Sequence, residues 1–340
     1  MYKTKYDNKG ITGLVNRGNT CFLNTSIQCL SHIMPLTDYF VNDSYLEYIT
    51  RNKKEFRLCK QYAILMKGFW EESCIVDPES FHRTFQNSNE YFSNYDQHDC
   101  QEALSIILDA IHESLIYEVD ITHRGVIENE MDKFMVESIN NWSKSFNNKY
   151  SIIVDLFFGQ FVSYITDVET NKTISYNFEH FNILNVPING RNIYECLNNF
   201  IKPEELERPY LNETDKKEYR VKRQIKISKI PQYLIIVLKR FRFNGSRYIK
   251  NPDLLSFPIN NLDISRYVEG YDQYNAIMDL KCIGCHSGGI DSGHYYAVCK
   301  HVNNNWYEFN DKNRNAVNIH SILPMIYQNS YILIYEKKAN

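Results

Sequence analysis

The sequence predicts an α+β fold. Helical periodicity fills the first third of the chain. From Ile152 onward, short runs of β-branched and aromatic residues alternate, with Pro, Gly, Asn and Asp between them. A helical block followed by a strand-rich remainder is the α+β signature. The chain has 340 residues, 43% of them hydrophobic, enough to bury one large core or two or three subdomains that share cores.

Residues 1 to 10 read as a short disordered tail. The start is polar with no apolar stretch behind it, so neither a signal peptide nor a membrane anchor is expected. From Cys21 to about Ile33 the pattern is helical, with Leu23, Ile27 and Leu30 on one face, and Pro35 ends it. Residues 44 to 70 also carry helical spacing, through Phe56, Cys59, Ala63 and Met66. Gln97 to about Tyr117 is the clearest helix, with Ala103, Ile107, Ala110, Ile111 and Leu115 as its apolar stripe. The β-rich runs are Ile152 to Phe161, Phe181 to Val186, Tyr219 to Ile230, Tyr233 to Phe243, Ala276 to Cys285, His294 to Lys300, Asn305 to Asn310 and Ser330 to Tyr335. Asn303-Asn304-Asn305 reads as a hairpin loop, and there is no internal repeat.

Charged residues make up 23% of the chain and the formal net charge is -3, without the basic stripe of a nucleic-acid binder. The clusters at Lys216-Lys217 and Arg220 to Lys226 read as solvated strand or loop faces. No run is long and apolar enough to span a bilayer. The nine cysteines are scattered and odd in number, which suits reduced thiols better than a disulfide framework. The expectation is a soluble monomer inside the cell, in the cytoplasm or the nucleus. The Asn-x-Ser/Thr triplets at Asn24 and Asn141 then read as chance.

Gly13-Leu14-Val15-Asn16-Arg17-Gly18-Asn19-Thr20-Cys21 sets a cysteine where a Gly/Asn-rich loop meets a helix. Backbone N–H groups there lack internal partners and the helix dipole is positive. Both favour a thiolate, and a free-cysteine pKa of ~8.5 falls by several units in such places. Asn16 lies upstream on the loop, where its amide could donate to an oxyanion, a contact typically worth about 3 kcal/mol in a transition state. The alternative is that Cys21 is a small buried hydrophobe.

Far downstream, the mobile glycine-rich stretch Ser287-Gly288-Gly289-Ile290-Asp291-Ser292-Gly293 leads into His294 and a strand. Trp306 to Asp311 follows as the return strand of a hairpin, which would set Asn310 or Asp311 near His294. That is a nucleophile, base and orienter arrangement, in which the third group fixes the imidazole tautomer. Cys282-Ile283-Gly284-Cys285-His286 matches a haem-attachment pattern and half a zinc site. It alternates like a strand, there is no export signal, and no second cysteine pair exists to complete a structural zinc. No metal and no cofactor are expected.

Together these blocks resemble the ubiquitin-specific proteases, cysteine deubiquitinases of peptidase family C19, from about Gly10 to Glu336. Gly13-Leu14 through Asn24 is similar to the family's cysteine box. Gly293-His294-Tyr295-Tyr296-Ala297 with Trp306 to Asp311 is similar to its histidine box. Gln97-His98-Asp99-Cys100-Gln101-Glu102 resembles its glutamine/aspartate/glutamate signature. Phe158-Gly159-Gln160 and Leu238-Lys239-Arg240-Phe241 are further family-like stretches. The resemblance implies a papain-like cysteine protease fold arranged as a hand: a catalytic domain over 11–338, with the thumb about 11–125, the fingers about 155–230 and the palm the remainder. It implies a thiol-dependent hydrolase that cuts the isopeptide or peptide bond after the last glycine of ubiquitin, with ubiquitin and ubiquitinated proteins as partners. Cys21 would be the nucleophile, His294 the base, Asn310 or Asp311 the orienter, and Asn16 part of the oxyanion hole. Asp99 and Glu102, with Gln97 beside them, would grip the ubiquitin tail, and Tyr295, His286 and Phe241 would line its channel. Many members carry two Cys-x-x-Cys pairs that bind zinc at the fingertips. Here the matching stretches, Tyr164 to Val168 and Tyr210 to Asp215, have no cysteine, so that zinc is expected to be missing.

Overall fold

The first third of the chain is helical because its apolar residues recur every three or four positions. A computed structural model describes residues 2–94, 96–120, 124–213, 215–243, 245–289 and 292–338. Its early helices are α1 (Tyr2–Tyr6), α2 (Cys21–Ser31), α3 (Met34–Val41), α4 (Phe56–Glu71), α5 (Glu79–Ser88) and α6 (Cys100–Ser114). All eleven residues of α2 are buried. Its polar side chains therefore need internal partners. Gln28 Nε2 donates to Thr12 O at 2.7 Å, and Ser26 Oγ donates to Phe22 O and Cys100 O, each at 3.0 Å.

Three local expectations are corrected. Residues 2 to 6 of the expected disordered tail form α1, held because Tyr6 is buried edge-on against Trp70 and donates to Asp38; Met1 lies outside the described residues. Pro35 does not simply end a helix. It sits in the first turn of α3, where its missing N–H costs nothing. The run from Ile152 is not a strand at first. Ser151 Oγ accepts from the Ile153 and Val154 amides and starts a short helix, α8 (Ile152–Phe157), before the strand Gly159–Asp167 begins. Between α6 and α8, α7 (Glu130–Phe146) opens on a capping box of Asn129 and Asp132.

The remainder is built on an eight-stranded sheet. Its main path runs Asn313–Val317, Trp306–Asn310, His294–Lys300, Ile277–Ser287, Ser330–Lys337, Tyr233–Lys239, Ile183–Pro187, with Leu262–Asp263 paired beside Ile277–Ser287. Alternate side chains enter two separate cores. Tyr233, Ile235, Val237, Cys282, Ala297, Cys299, Ile332 and Ile334 join the core of α2 to α6. Leu234, Ile236, Leu238, Ile283, Val298, Leu333 and Tyr335 join a second core with α9 (Ile193–Phe200) and α10 (Ile319–Asn329). Because α2 lies directly on the sheet, the front of that helix meets the head of the His294–Lys300 strand.

A second sheet, of four strands, runs Thr173–Phe181, Gly159–Asp167, Val221–Lys229, Glu204–Glu205. α7 packs on it through Phe134, whose ring lies 5.3 Å from Phe178 and 6.0 Å from Tyr176. Beyond it, Tyr210–Leu211 pairs with Glu218–Tyr219; Thr214 between them lies outside the described residues. Among the described residues, no group of three or more His, Cys, Asp or Glu side chains is arranged to hold a metal.

Candidate active site

The loop before α2 is shaped by Asn16. Its Oδ1 accepts from the Gly18 amide at 2.9 Å, the Thr20 amide at 3.3 Å and Thr20 Oγ1 at 3.2 Å. That turn delivers Cys21 as the first residue of α2, at the positive end of the helix dipole. Cys21 is only 4% exposed, so a reacting group must be slim to reach it.

His294 begins its strand opposite Ser287. Its Nε2 donates to Asn310 Oδ1 at 2.7 Å, and its side chain also hydrogen-bonds Cys21, which leaves Nδ1 as the nitrogen for the sulfur. Asp311 Oδ2 stands farther from Nε2, at 3.8 Å. The imidazole pKa is pushed up to about 9, first by the hydrogen bond to Cys21, then by Asn310 and the charges of Cys21 and Asp311, against the opposing effect of burial. A histidine hydrogen-bonded to a sulfur at a helix start is an arrangement that can run thiol hydrolysis.

Sequence alone left the orienter open between Asn310 and Asp311, and the geometry separates them. Asn310 holds the imidazole. Asp311 holds the scaffold: its Oδ2 accepts from Asn16 Nδ2 at 2.9 Å, its Oδ1 from Asn24 Nδ2 at 2.8 Å, and its backbone O from the Leu14 amide at 2.9 Å. Hydrogen bonds to an ionised group contribute about 1.5–3 kcal/mol each. The loop and the hairpin come so close that a Cβ on Gly13 would lie 2.3 Å from Lys312 O. A primary amide carries two N–H groups, so the Asp311 bond leaves Asn16 one further donor.

The other expected site residues fall into two groups. Phe241, His286 and Tyr295 pack as one aromatic cluster, with ring centres 5.1 Å apart for Phe241–His286 and 4.6 Å for His286–Tyr295. Burial pushes the His286 pKa down to about 4, helped by the charges of Lys250 and His294, and its Nδ1 has no partner. Tyr331, which the sequence did not single out, joins this cluster to the second group: its ring lies 5.5 Å from Phe241 and its hydroxyl donates to Asp99 at 2.6 Å. Asp99 also caps α6 by accepting from the Gln101 amide at 2.6 Å, and burial raises its pKa. Glu102 is exposed on the first turn of α6. It faces a cavity of about 350 Å³ shared with Tyr91, Phe92, Gln101, Ser105 and Ile106. Gln97 is exposed just before the helix. Ile290 and Asp291, inside the glycine-rich stretch before His294, lie outside the described residues.

Asn24 is the supporting residue the sequence understated. A buried amide one helical turn after Cys21 is the signal, since such a group needs a strong partner.

The profile of the ubiquitin carboxyl-terminal hydrolase family matches residues 12–335. The chain belongs to that family. Among ubiquitin carboxyl-terminal hydrolases, it is 31% identical to Drosophila melanogaster Usp2 over 338 residues, covering 97% of this chain and 35% of the fly protein. It is 28% identical to the human ubiquitin carboxyl-terminal hydrolase 2, covering 96% of this chain and 55% of that protein. The chain therefore spans about a third to a half of these hydrolases' length. The solved structure of the SAGA Ubp8/Sgf11/Sus1/Sgf73 module bound to ubiquitin aldehyde superposes with a TM-score of 0.77 at 22% identity, over 98% of this chain and 71% of that one. The same module bound to monoubiquitin gives 0.77 at 20% identity, over 98% and 70%. The hydrolase fold is thus the one this chain adopts.

Proposed function

We propose that the chain is a deubiquitinase that hydrolyses the isopeptide or peptide bond after the last glycine of ubiquitin. The observation that carries this reading is the Cys21–His294–Asn310 arrangement at the junction of α2 and the sheet. The Cys21 thiolate attacks the glycine carbonyl carbon and the oxygen takes the charge, where the remaining Asn16 N–H and backbone amides can receive it. The His294 imidazolium gives its proton to the leaving lysine amine, and a thioester remains. His294, now neutral, takes a proton from water. The resulting hydroxide attacks the thioester, and ubiquitin leaves with a free carboxylate.

Four side chains of one chain, Cys21, His294, Asn310 and Asn16, make up this machinery, so a monomer suffices. The near-burial of Cys21 suits a tail that ends in two glycines, because bulkier residues would not pass. The ubiquitin tail, Leu-Arg-Gly-Gly, brings an arginine that the exposed Glu102 can meet, whereas the Asp99 carboxylate is already bonded to Tyr331 and to the head of α6.

The test is turnover of a ubiquitin C-terminal fluorogenic substrate by the protein and by Cys21→Ala. Turnover by the first and none by the second is expected. Equal rates, or none from either, would overturn the reading. Parallel reaction with electrophilic probes built on ubiquitin and on ubiquitin-like modifiers decides which tail is preferred.

A further inference from the structure

The short hairpin of Phe241–Phe243 with Tyr248–Lys250 lies beside the glycine-rich stretch that leads to His294. Two residues at its base, Phe241 and Lys250, are cross-strand partners. Both grip His286. Phe241 sets its ring edge against the imidazole, and Lys250 Nζ donates to His286 O at 2.6 Å and to Gly288 O at 3.1 Å. His286 in turn pairs across the sheet with Tyr295, and Ser287 pairs with His294. The His286 ring also fills the space in front of Gly293, where a Cβ would lie 2.0 Å from Nε2. A continuous set of contacts therefore runs from the hairpin base, through His286, to the residue before the catalytic base.

Among the described residues, no carboxylate pairs with Lys250. Two carbonyl oxygens take its ammonium in a half-buried setting, and burial together with Arg240 lowers its pKa to about 8. Stabilising a charge with backbone oxygens is a costly way to hold a lysine at a surface, and it fastens two chain segments that, among the described residues, no strand pairing joins.

We propose that Lys250 is a positioning residue for tail binding: its ammonium locks residues 286–288 to the 241–250 hairpin and so fixes the channel formed by Phe241, His286 and Tyr295. This rests on the deubiquitinase reading for its kinetic consequence, but not for its structural one. Cys21, His294 and Asn310 keep their own mutual bonds without Lys250. Its loss should therefore weaken ubiquitin binding more than the chemical step.

The experiment compares wild type, Lys250→Met and Lys250→Arg by amide hydrogen exchange over residues 286–289, by thermal unfolding and by steady-state turnover of the ubiquitin fluorogenic substrate. In Lys250→Met the exchange should quicken and KM rise by about tenfold while kcat stays within about threefold, the scale of one or two lost charge-assisted hydrogen bonds. Lys250→Arg keeps the charge and the donors and should return both towards wild type. Unchanged exchange in Lys250→Met overturns the proposal, as does an unchanged KM. A fall in kcat and unfolding temperature together, without rescue by Lys250→Arg, overturns it in favour of a merely structural role. A wild type that does not turn over ubiquitin condemns the deubiquitinase reading instead, and the exchange comparison still decides the lock.

Discussion

Asn24 Nδ2 donates to Asp311 Oδ1 at 2.8 Å, joining two residues 287 positions apart in the chain. One sits a helical turn beyond Cys21 and the other directly follows Asn310, which holds His294. The bond therefore ties the helix that carries Cys21 to the hairpin that holds His294. Asn24→Ala should lose about 1–3 kcal/mol of stability, because the partly buried Asp311 carboxylate loses a donor. Turnover should fall about tenfold through misalignment of Cys21 and His294. Urea unfolding and kinetics on the ubiquitin substrate check the two outcomes separately.

Asn310 and Asp311 should be distinguishable by mutation. Asn310→Ala removes the direct partner of His294 and should lower kcat by on the order of 10²-fold with little change in KM. Asp311→Asn keeps the shape but sets its NH2 against one of the two amide donors, Asn16 or Asn24, so it loses one scaffold bond while the Asn310 bond to His294 stays, and its kcat should fall less. An equal or larger loss in Asp311→Asn would reverse the assignment of the orienter.

The raised pKa of His294 predicts the alkaline side of the pH profile. Folding holds the proton on His294 from its ordinary 6.5 up to about 9. The stability it contributes is then fully present below about 6.5 and lost as pH rises through about 9. The same proton is needed by the leaving amine, so kcat/KM on an isopeptide-linked lysine substrate should decline as pH passes about 9. In Asn310→Ala, which lacks one of the groups that raise this pKa, the decline should begin at lower pH. A pH series on both proteins, with the unfolding free energy of wild type against His294→Ala over the same range, measures both effects.

Gly293 should be intolerant of a side chain. A Cβ there meets His286 Nε2 at 2.0 Å, so Gly293→Ala must displace either the buried ring or the residue next to the base. Activity should fall at least tenfold by the misplacement argument. Gly293→Ala combined with His286→Ala should recover part of that loss, a coupling read from the double-mutant cycle. Strictly additive losses would mean that the two positions do not share the space.

Glu102 and Asp99 should part company although both belong to one acidic signature. Glu102→Gln should raise KM for ubiquitin severalfold and leave kcat and stability nearly unchanged, since its carboxylate is exposed. Asp99→Ala should destabilise the fold by about 0.5–2 kcal/mol through the lost helix cap, measured by thermal or urea unfolding.

Cys21 and His294 were legible in the sequence because each sits in a local pattern with a chemical reason: a loop of Gly and Asn before a helix, and a histidine at the start of a strand that turns back through Asn310 and Asp311. The choice between Asn310 and Asp311 was not legible. It depends on hairpin twist and on the backbone of Asp311, which adopts a left-handed φ of 50° and turns its carboxylate toward the α2 loop. The α8 helix was read as strand because a short apolar run has no period to distinguish the two, and the Ser151 cap decides it. The tail that folds into α1 looked polar. Only the docked structure shows that Tyr6 has an apolar seat against Trp70. Lys250 and Tyr331 left no trace in the pattern, since the contacts that give them meaning, to His286 O and to Asp99, join distant parts of the chain.

The most direct test of the account is intact-protein mass spectrometry after reaction with ubiquitin carrying a C-terminal electrophile, followed by peptide mapping. The prediction is a single adduct on Cys21, absent from Cys21→Ala and strongly slowed in His294→Ala. No adduct, or one on Cys74, the more accessible thiol, would contradict it.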